Sequence, residues 1–268
     1  GLDLSFLSQR DLKLFTNRLN SHFHELFTRY VDVYGHQFDC YYHLSQLVLS
    51  LAMGLKNRKA DLKRLDRARS HDDKLWHQQE NQVGMACYVD LMGPTLTDLQ
   101  AKIPYFKSLG LTYLHLMPLY ASPEGDSDGG YAVSDYRKVN PVLGNMKELE
   151  ALSKALRDAG INLVLDFVFN HTSDEHRWAK AALTGDENYQ NYYYLFDDRT
   201  IPDQYEQSLR EIFPQVRRGS FTWNETMQKW VWTTFNSFQW DLNYSNPAVF
   251  NAITEEMLFL ANIGCAAL

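Results

Sequence analysis

Asp166, Asn170 and His171 fall within six residues at the end of an apolar run, Ile161–Phe169 (INLVLDFVF). They offer a carboxylate acceptor, a mixed amide and an imidazole donor. On an extended strand, alternation puts Asp166, Val168 and Asn170 on one side and Phe167 and Phe169 on the other. Such a set at a strand's C-terminal end suits a grip on sugar hydroxyls. The plainer alternative is a structural network in which Asp166 holds loop backbone and His171 is merely exposed. Aromatic residues, 14% of the chain, crowd between Tyr189 and Tyr244, so that segment calls for its own explanation. They are either the core of a small sheet-rich subdomain or a surface on which sugar C–H faces pack, and both can hold together. Other polar clusters carry less. His22 and His24 lie two apart, which on a helix turns them in different directions and excludes a shared metal. Cys40, Cys87 and Cys265 are odd in number and far apart, which excludes a disulfide framework and a clustered zinc site and fits a reducing cytoplasm.

The elements that must position these residues follow from periodicity. Phe6, Leu12, Phe15, Leu19, Phe23, Leu26 and Tyr30 recur at helical spacing, as do Leu44, Leu47, Val48, Leu51 and Leu55, so the first 82 residues read as an all-helical domain. The charge run Lys56–Lys74 mixes both signs around Leu62 and Leu65 and reads as a solvated helix face. Beyond it, the apolar runs Gly84–Leu91, Thr112–Pro118 and Ile161–Phe169 read as strands. Helical patterns over Thr95–Leu109, Met146–Ala159 and Pro247–Asn262 separate or follow them, with Gly110 and Gly160 closing two of these helices. Near-continuous apolar strands alternating with helices predict parallel β/α units buried on both faces. About 75 residues, from Asn170 to Tyr244, intervene between the third strand and its helix, at the strand end where β/α barrels place active sites. Ile263–Leu268 reads as the start of a fourth strand, so three units of an eight-unit barrel are expected, with the barrel continuing past Leu268.

With these motifs in place the chain resembles the α-amylase superfamily of glycoside hydrolases. Asp166-x-x-x-Asn170-His171 resembles the family's first signature, on the third barrel strand. Asp128-Gly-Gly-Tyr131-Ala-Val-Ser-Asp135-Tyr136-Arg137 resembles the segment after the second strand, and Gln239-Trp-Asp241-Leu-Asn243 the signature ending the inserted B domain. Members more often carry Pro where this chain has Trp240 and Asp where it has Ala132. Those departures, the helical N-terminal domain and the segment Pro202–Phe213 resemble the amylosucrase branch. The resemblance implies an α/β fold: the N-terminal part of a (β/α)8 TIM barrel, preceded by an all-helical domain and carrying a B-domain insertion after the third strand. Its parts would be a helical domain over 1–82, the first part of the barrel over 83–169, the B domain over 170–244, and a return to the barrel over 245–268.

The activity implied is a retaining glucosyl transfer from sucrose to an α-1,4-glucan through a β-glucosyl-enzyme. Such chemistry needs two carboxyl groups about 5–5.5 Å apart. By the resemblance, the nucleophile Asp and the acid Glu belong to the missing C-terminal half of the barrel, so the 268 residues alone are expected to be inactive. Asp128, Asp166, Asp241 and Glu175 match supporting positions or none. Asp128 and Tyr131 would line the glucose pocket, Tyr131 as stacking platform and Asp128 pairing with an Arg of the missing half. His171 would donate to a glucose hydroxyl and support the transition state. Arg210, Phe235 and Gln239 would shape the fructose and acceptor subsites, against the alternatives of a surface ion pair for Arg210 and a core aromatic for Phe235. Asp166, Asn170 and Asp241 would be structural supports. Residues matching Asn170 and Asp241 bind calcium in some relatives, but two oxygen ligands fall short of the six to eight calcium takes, and no metal or other cofactor is expected.

A net charge of −7 excludes general binding to nucleic acid, no apolar run approaches the length of a membrane span, and the start Gly-Leu-Asp lacks the form of a signal peptide. A cytoplasmic enzyme is therefore expected. Two other readings stand beside glucan synthesis: a sucrose hydrolase with water as acceptor, and a truncated, non-catalytic sugar-binding protein. The apolar helices of the first domain are compatible with a buttress for the barrel and with a homodimer contact.

Overall fold

A computed structural model describes residues 2–70 and 75–268. The last residues of the charge run, Asp72 to Lys74, lie outside the described residues. The helical segment comprises α1 (Gln9–Tyr34), α2 (Cys40–Asn57) and α3 (Ala60–Arg69). Ser8 caps α1 by accepting from the Asp11 amide at 3.1 Å, satisfying one of the free donors of the first turn. A short 3-10 turn, Trp76–Gln78, leads to β1 (Gly84–Cys87). The expected first strand ends there, because Val89–Met92 coils into α4.

The helix expected over Thr95–Leu109 is two helices, α5 (Leu96–Ala101) and α6 (Ile103–Ser108). Pro104 has no N–H to give the carbonyl four residues back, so the helix restarts at Lys102. Then follow β2 (Tyr113–Leu116), the antiparallel pair β3 (Tyr120–Ala121) and β4 (Asp135–Val139), α7 (Met146–Asp158) and β5 (Asn162–Leu165). Gly110 and Gly160 do close their helices, with φ of +75° and +82°, where a side chain would be strained.

β1, β2 and β5 form a parallel sheet in that order, with Gly84 beside Tyr113 and Tyr113 beside Asn162. Ala267 makes an isolated parallel bridge to Val164, so the fourth strand expected from Ile263 shows only at its end, because Ile263 still belongs to the preceding helix and Gly264 caps it. The face carrying Leu114, Leu116, Leu163 and Leu165 is buried under α5, α6, α7 and the last helix, Pro247–Ile263. Burial on both faces was expected, yet Gly84 and Ala86 are exposed and Tyr113 and His115 are only partly covered. The described residues supply helices to one side only.

The insertion holds β6 (His171–Ser173), α8 (Arg177–Leu183), α9 (Glu187–Gln190), β7 (Leu195–Phe196), α10 (Thr200–Glu206), β8 (Phe221–Asn224), β9 (Lys229–Trp232) and β10 (Gln239–Asp241). Its crowded aromatics mostly pack on one another. Tyr193 meets Trp240 edge-on at 5.4 Å, and Trp232 gathers Tyr194, Tyr205 and Phe221 around it. Tyr193, Phe221 and Trp240 are thus buried in the core of this subdomain, and most of the other aromatics are half-buried around them. The chain returns through α11 (Pro247–Ile263), which starts on a proline and ends on Gly264 at φ +111°. Along α11 packs α2, tied by Asn251 Nδ2 to the His43 carbonyl at 2.8 Å and Asn262 Nδ2 to the Gly54 carbonyl at 2.9 Å.

Candidate active site

Three loops converge at the C-terminal end of the parallel sheet. The first is the turn Ser127–Tyr131 between β3 and β4. Asp128, Gly129 and Gly130 all have positive φ (54°, 65° and 90°), and a Cβ on Gly130 would stand 3.0 Å from the Pro118 carbonyl oxygen. Asp tolerates the left-handed region better than most side chains and glycine adopts it freely, so the Asp-Gly-Gly run folds this way locally. The turn presents the Asp128 carboxylate and the Tyr131 ring side by side.

The second loop follows β5. The strand stops at Leu165, one residue before the expected carboxylate, so alternation does not carry Asp166 and Asn170 to a common side. Backbone bonds from other elements take over the loop: Asp166 N–H donates to the Leu116 carbonyl at 3.0 Å, and Tyr136 Oη donates to the Val168 carbonyl at 2.6 Å. Asp166 then accepts from Tyr131 Oη at 3.3 Å. Burial, and next the Asp166 charge, push the Tyr131 phenol up to about 12, so at neutral pH it keeps the proton it donates.

His171 begins β6, which pairs antiparallel with β10 so that His171 lies opposite Asp241. The imidazole is buried, and burial brings its pKa down to about 4 despite the Asp128 charge nearby. It is therefore neutral at pH 7, and its tautomer follows from its partners. The Asn170 amide nitrogen lies 3.2 Å from Nδ1 and also serves Asp241, so Nδ1 is the acceptor. Nε2 then carries the hydrogen, directed at the Tyr131 carbonyl 3.2 Å away.

The third loop is the turn before β10. Gln239 is fully buried, and its carbonyl oxygen accepts from the Asn236 backbone N–H at 2.9 Å and from Asn236 Nδ2 at 3.0 Å. That fixes the amide orientation, and Nε2 donates to Asp128 Oδ2 at 3.0 Å while lying 3.1 Å from His171 Nε2. Gln239 thus joins the first two loops. Below it, Asp241 accepts from the Thr234 N–H at 2.9 Å and from Thr234 Oγ1 at 2.5 Å. Burial raises its pKa to about 6 against these bonds. Phe235 is partly covered and its ring stands 5.0 Å from His171, which makes it a side wall of the site.

Asp128, Tyr131, Asp166, His171, Phe235 and Gln239 are therefore brought together, with Asn170 beside His171 and Asp241 held by Thr234. Arg210 is not among them. It is exposed, and among the described residues it makes neither a hydrogen bond nor the ion pair weighed as its alternative. Its segment meets the site through Phe213 instead, 6.2 Å from Phe235. Two residues went unnoticed in the sequence. Asn236 orients Gln239 and Thr234 holds Asp241, and their only trace is spacing within a turn whose shape tertiary contacts decide. Among the described residues no group of three or more His, Cys, Asp or Glu is placed to hold a metal ion.

The parallel sheet thus gathers a neutral imidazole, two carboxylates and an amide at its C-terminal end, where β/α barrels carry their active sites. This chain belongs to the α-amylase family: the family profile for the catalytic domain of α-amylase matches residues 63–265. Maltase 1 of Drosophila virilis is 34% identical over 213 residues, covering 77% of this chain and 33% of the maltase. Trehalose synthase of a Pimelobacter species is 34% identical over 166 residues, covering 62% of this chain and 28% of that enzyme. Among solved structures, trehalulose synthase MutB from Pseudomonas mesoacidophila is similar with a TM-score of 0.60 and 27% identity, over 69% of this chain and 34% of that one. A mutant of MutB solved in complex with the substrate sucrose gives a TM-score of 0.61, with the same identity and coverage. The chain spans about a third of the length of the relatives it matches. No helix among the described residues is long and apolar enough to cross a membrane.

Proposed function

We propose that this chain is the front portion of a retaining glucosyltransferase of the amylosucrase type, taking glucose from sucrose and passing it to an α-1,4-glucan. The observation that carries the reading is the junction at Gln239, whose amide nitrogen donates to the Asp128 carboxylate and lies 3.1 Å from His171 Nε2, so that carboxylate and imidazole meet beside Tyr131. These groups form one wall of a pocket for a single hexose. Asp128 accepts from hydroxyls, Tyr131 offers its ring face, and the hydrogen on His171 Nε2 turns from the Tyr131 carbonyl to a sugar oxygen. A neutral donor of this kind, fixed before substrate arrives, favours the oxocarbenium-like state over the ground state.

The wall lacks a reacting pair. Asp166 is occupied by Tyr131, Asp128 by Gln239 and Asp241 by Thr234, while Glu175 is exposed. The nucleophile and the acid accordingly belong to sequence after Leu268, as does any arginine that pairs with Asp128. Sucrose as donor is supported by the likeness to MutB, a mutant of which was solved with sucrose. Transfer to glucan rests on the resemblance of the Gln239–Asn243 and Pro202–Phe213 segments to amylosucrases.

The test is the full-length protein incubated with sucrose alone. Insoluble glucan together with free fructose is expected. Glucose and fructose in equal amounts would replace transfer with hydrolysis, and a sucrose isomer would replace it with intramolecular transfer. No turnover of sucrose would overturn the donor assignment.

A further inference from the structure

The His171 loop is held from outside at successive carbonyls. Val168 O accepts from Tyr136 Oη at 2.6 Å, Phe169 O from Tyr244 Oη at 2.5 Å, and Asn170 O from the Leu242 N–H at 2.9 Å. Tyr136 belongs to β4, within the barrel portion, but Tyr244 leads elsewhere. Its own carbonyl accepts from Tyr34 Oη at 2.9 Å, and the next carbonyl, of Ser245, accepts from Gln37 Nε2 at 2.5 Å. Tyr34 is the last residue of α1 and is buried, its ring 4.9 Å from Tyr30 and 6.2 Å from Phe250 of α11. A continuous path thus runs from the helical segment through one tyrosine to the backbone two residues before His171.

We propose that Tyr244 is a positioning residue through which the helical N-terminal segment fixes His171, making that segment part of the active-site machinery as well as a buttress. The physical case is that strand β5 ends at Leu165, so its ladder does not restrain Phe169. The Phe169 ring is mostly exposed, and its stacking partner, Phe167 at 6.1 Å, belongs to the same loop. Loss of the Tyr244 hydroxyl frees the Phe169 carbonyl, one of the three holds on this loop, and loosens the backbone that leads into Asn170 and His171. An imidazole displaced by a fraction of an ångström loses most where its hydrogen bond is strongest, in the transition state. The inference rests on the reading above only in taking His171 to face the sugar.

The experiment uses the full-length protein with Tyr244→Phe, Tyr34→Phe and the double variant, assayed for kcat and KM on sucrose, with maltose and trehalose as further donors. Tyr244→Phe is expected to lower kcat three- to tenfold, the size of one hydrogen bond, with KM changed less than twofold. Tyr34→Phe should lower kcat by a smaller factor. The double variant should match Tyr244→Phe alone, because Tyr34 acts only through Tyr244. A purely structural staple would lower Tm and leave kcat of the folded enzyme alone. Either kcat within twofold of the parent for Tyr244→Phe, or losses that multiply in the double variant, overturns the proposal. If Tyr244→Phe shows no cooperative melt, Tyr34→Phe combined with Gln37→Ala decides: reduced kcat at unchanged KM supports the path and unchanged kcat refutes it. Should sucrose not be turned over while maltose or trehalose is, the donor assignment fails and the path is still tested on the donor that works.

Discussion

Acidification should expose the cost of a buried imidazole away from the sugar pocket. His176 caps α8, its Nδ1 accepting from the Trp178 N–H at 3.2 Å, and its ring packs 4.4 Å from Trp178 and 5.6 Å from Tyr136. Protonation would break the cap and charge a group almost removed from water. Burial, and then the Arg177 charge, bring its pKa down to about 3. The unfolded chain keeps the ordinary value near 6.5, so it takes up the proton first. The stability this neutral histidine contributes is complete above pH 6.5 and is lost as pH falls toward the folded value. Integrated to pH 4.5, the loss is about 3 kcal/mol. His171, depressed to about 4, adds a loss of about 2 kcal/mol by the same argument. Asp241 acts in the opposite sense. Its raised pKa of about 6 favours the fold at low pH and loses that contribution as pH rises through 6, so at pH 4.5 it offsets about 2 kcal/mol. The variant His176→Asn isolates the first of these. Asparagine keeps an acceptor at the helix N-cap but does not titrate, so its packing cost is the same at both pH values. Urea denaturation near pH 7 and near pH 4.5, followed by tryptophan fluorescence, should show a pH-dependent loss smaller in the variant by about 3 kcal/mol. Equal losses in the two proteins would refute the assignment of a buried, neutral His176.

Two further outcomes are expected. Glu256 is buried at the junction of α11 with β4 and α8, bridging Arg137 Nε at 2.7 Å and Arg177 Nη2 at 2.9 Å; Glu256→Ala should destabilise the fold by about 1 kcal/mol, read as a lower urea midpoint, since both guanidinium groups are partly open to water once their shared acceptor is lost. Gln239→Leu leaves the Asn236 N–H and one Asp128 oxygen without partners, and should cost about 2 kcal/mol of stability, read as a lower urea midpoint, along with a fall in kcat of the full-length enzyme.

Much of the architecture was legible because it is encoded over short spans. Leu149, Leu152 and Leu156 repeat at helical spacing and all are buried in α7, and Gly160 ends that helix where only a positive φ fits. The apolar runs at 84, 112 and 161 became the three parallel strands, and the polar trio at the end of the third became one side of the site. Where local pattern failed, a specific competitor prevailed: Pro104 divided a helix, and Asp166 bonded across to Leu116 and Tyr131 after its own strand had ended.

Residue type and spacing by themselves marked Asp166, Asn170 and His171, and the family resemblance marked Asp128, Tyr131 and Gln239, as candidates for one site. Only the tertiary structure decided how they meet. Gln239 reaches Asp128 across 111 residues of chain, and Tyr34 reaches Tyr244 across 210. The antiparallel register of β6 and β10 sets Asp241 opposite His171. Contacts of that range depend on loop closure and on the register of distant elements, whereas periodicity reports only the face a residue shows to its near neighbours. The same limit explains Arg210. Its segment resembled the right one, but the fold turned Phe213 toward the site and left the arginine in solvent.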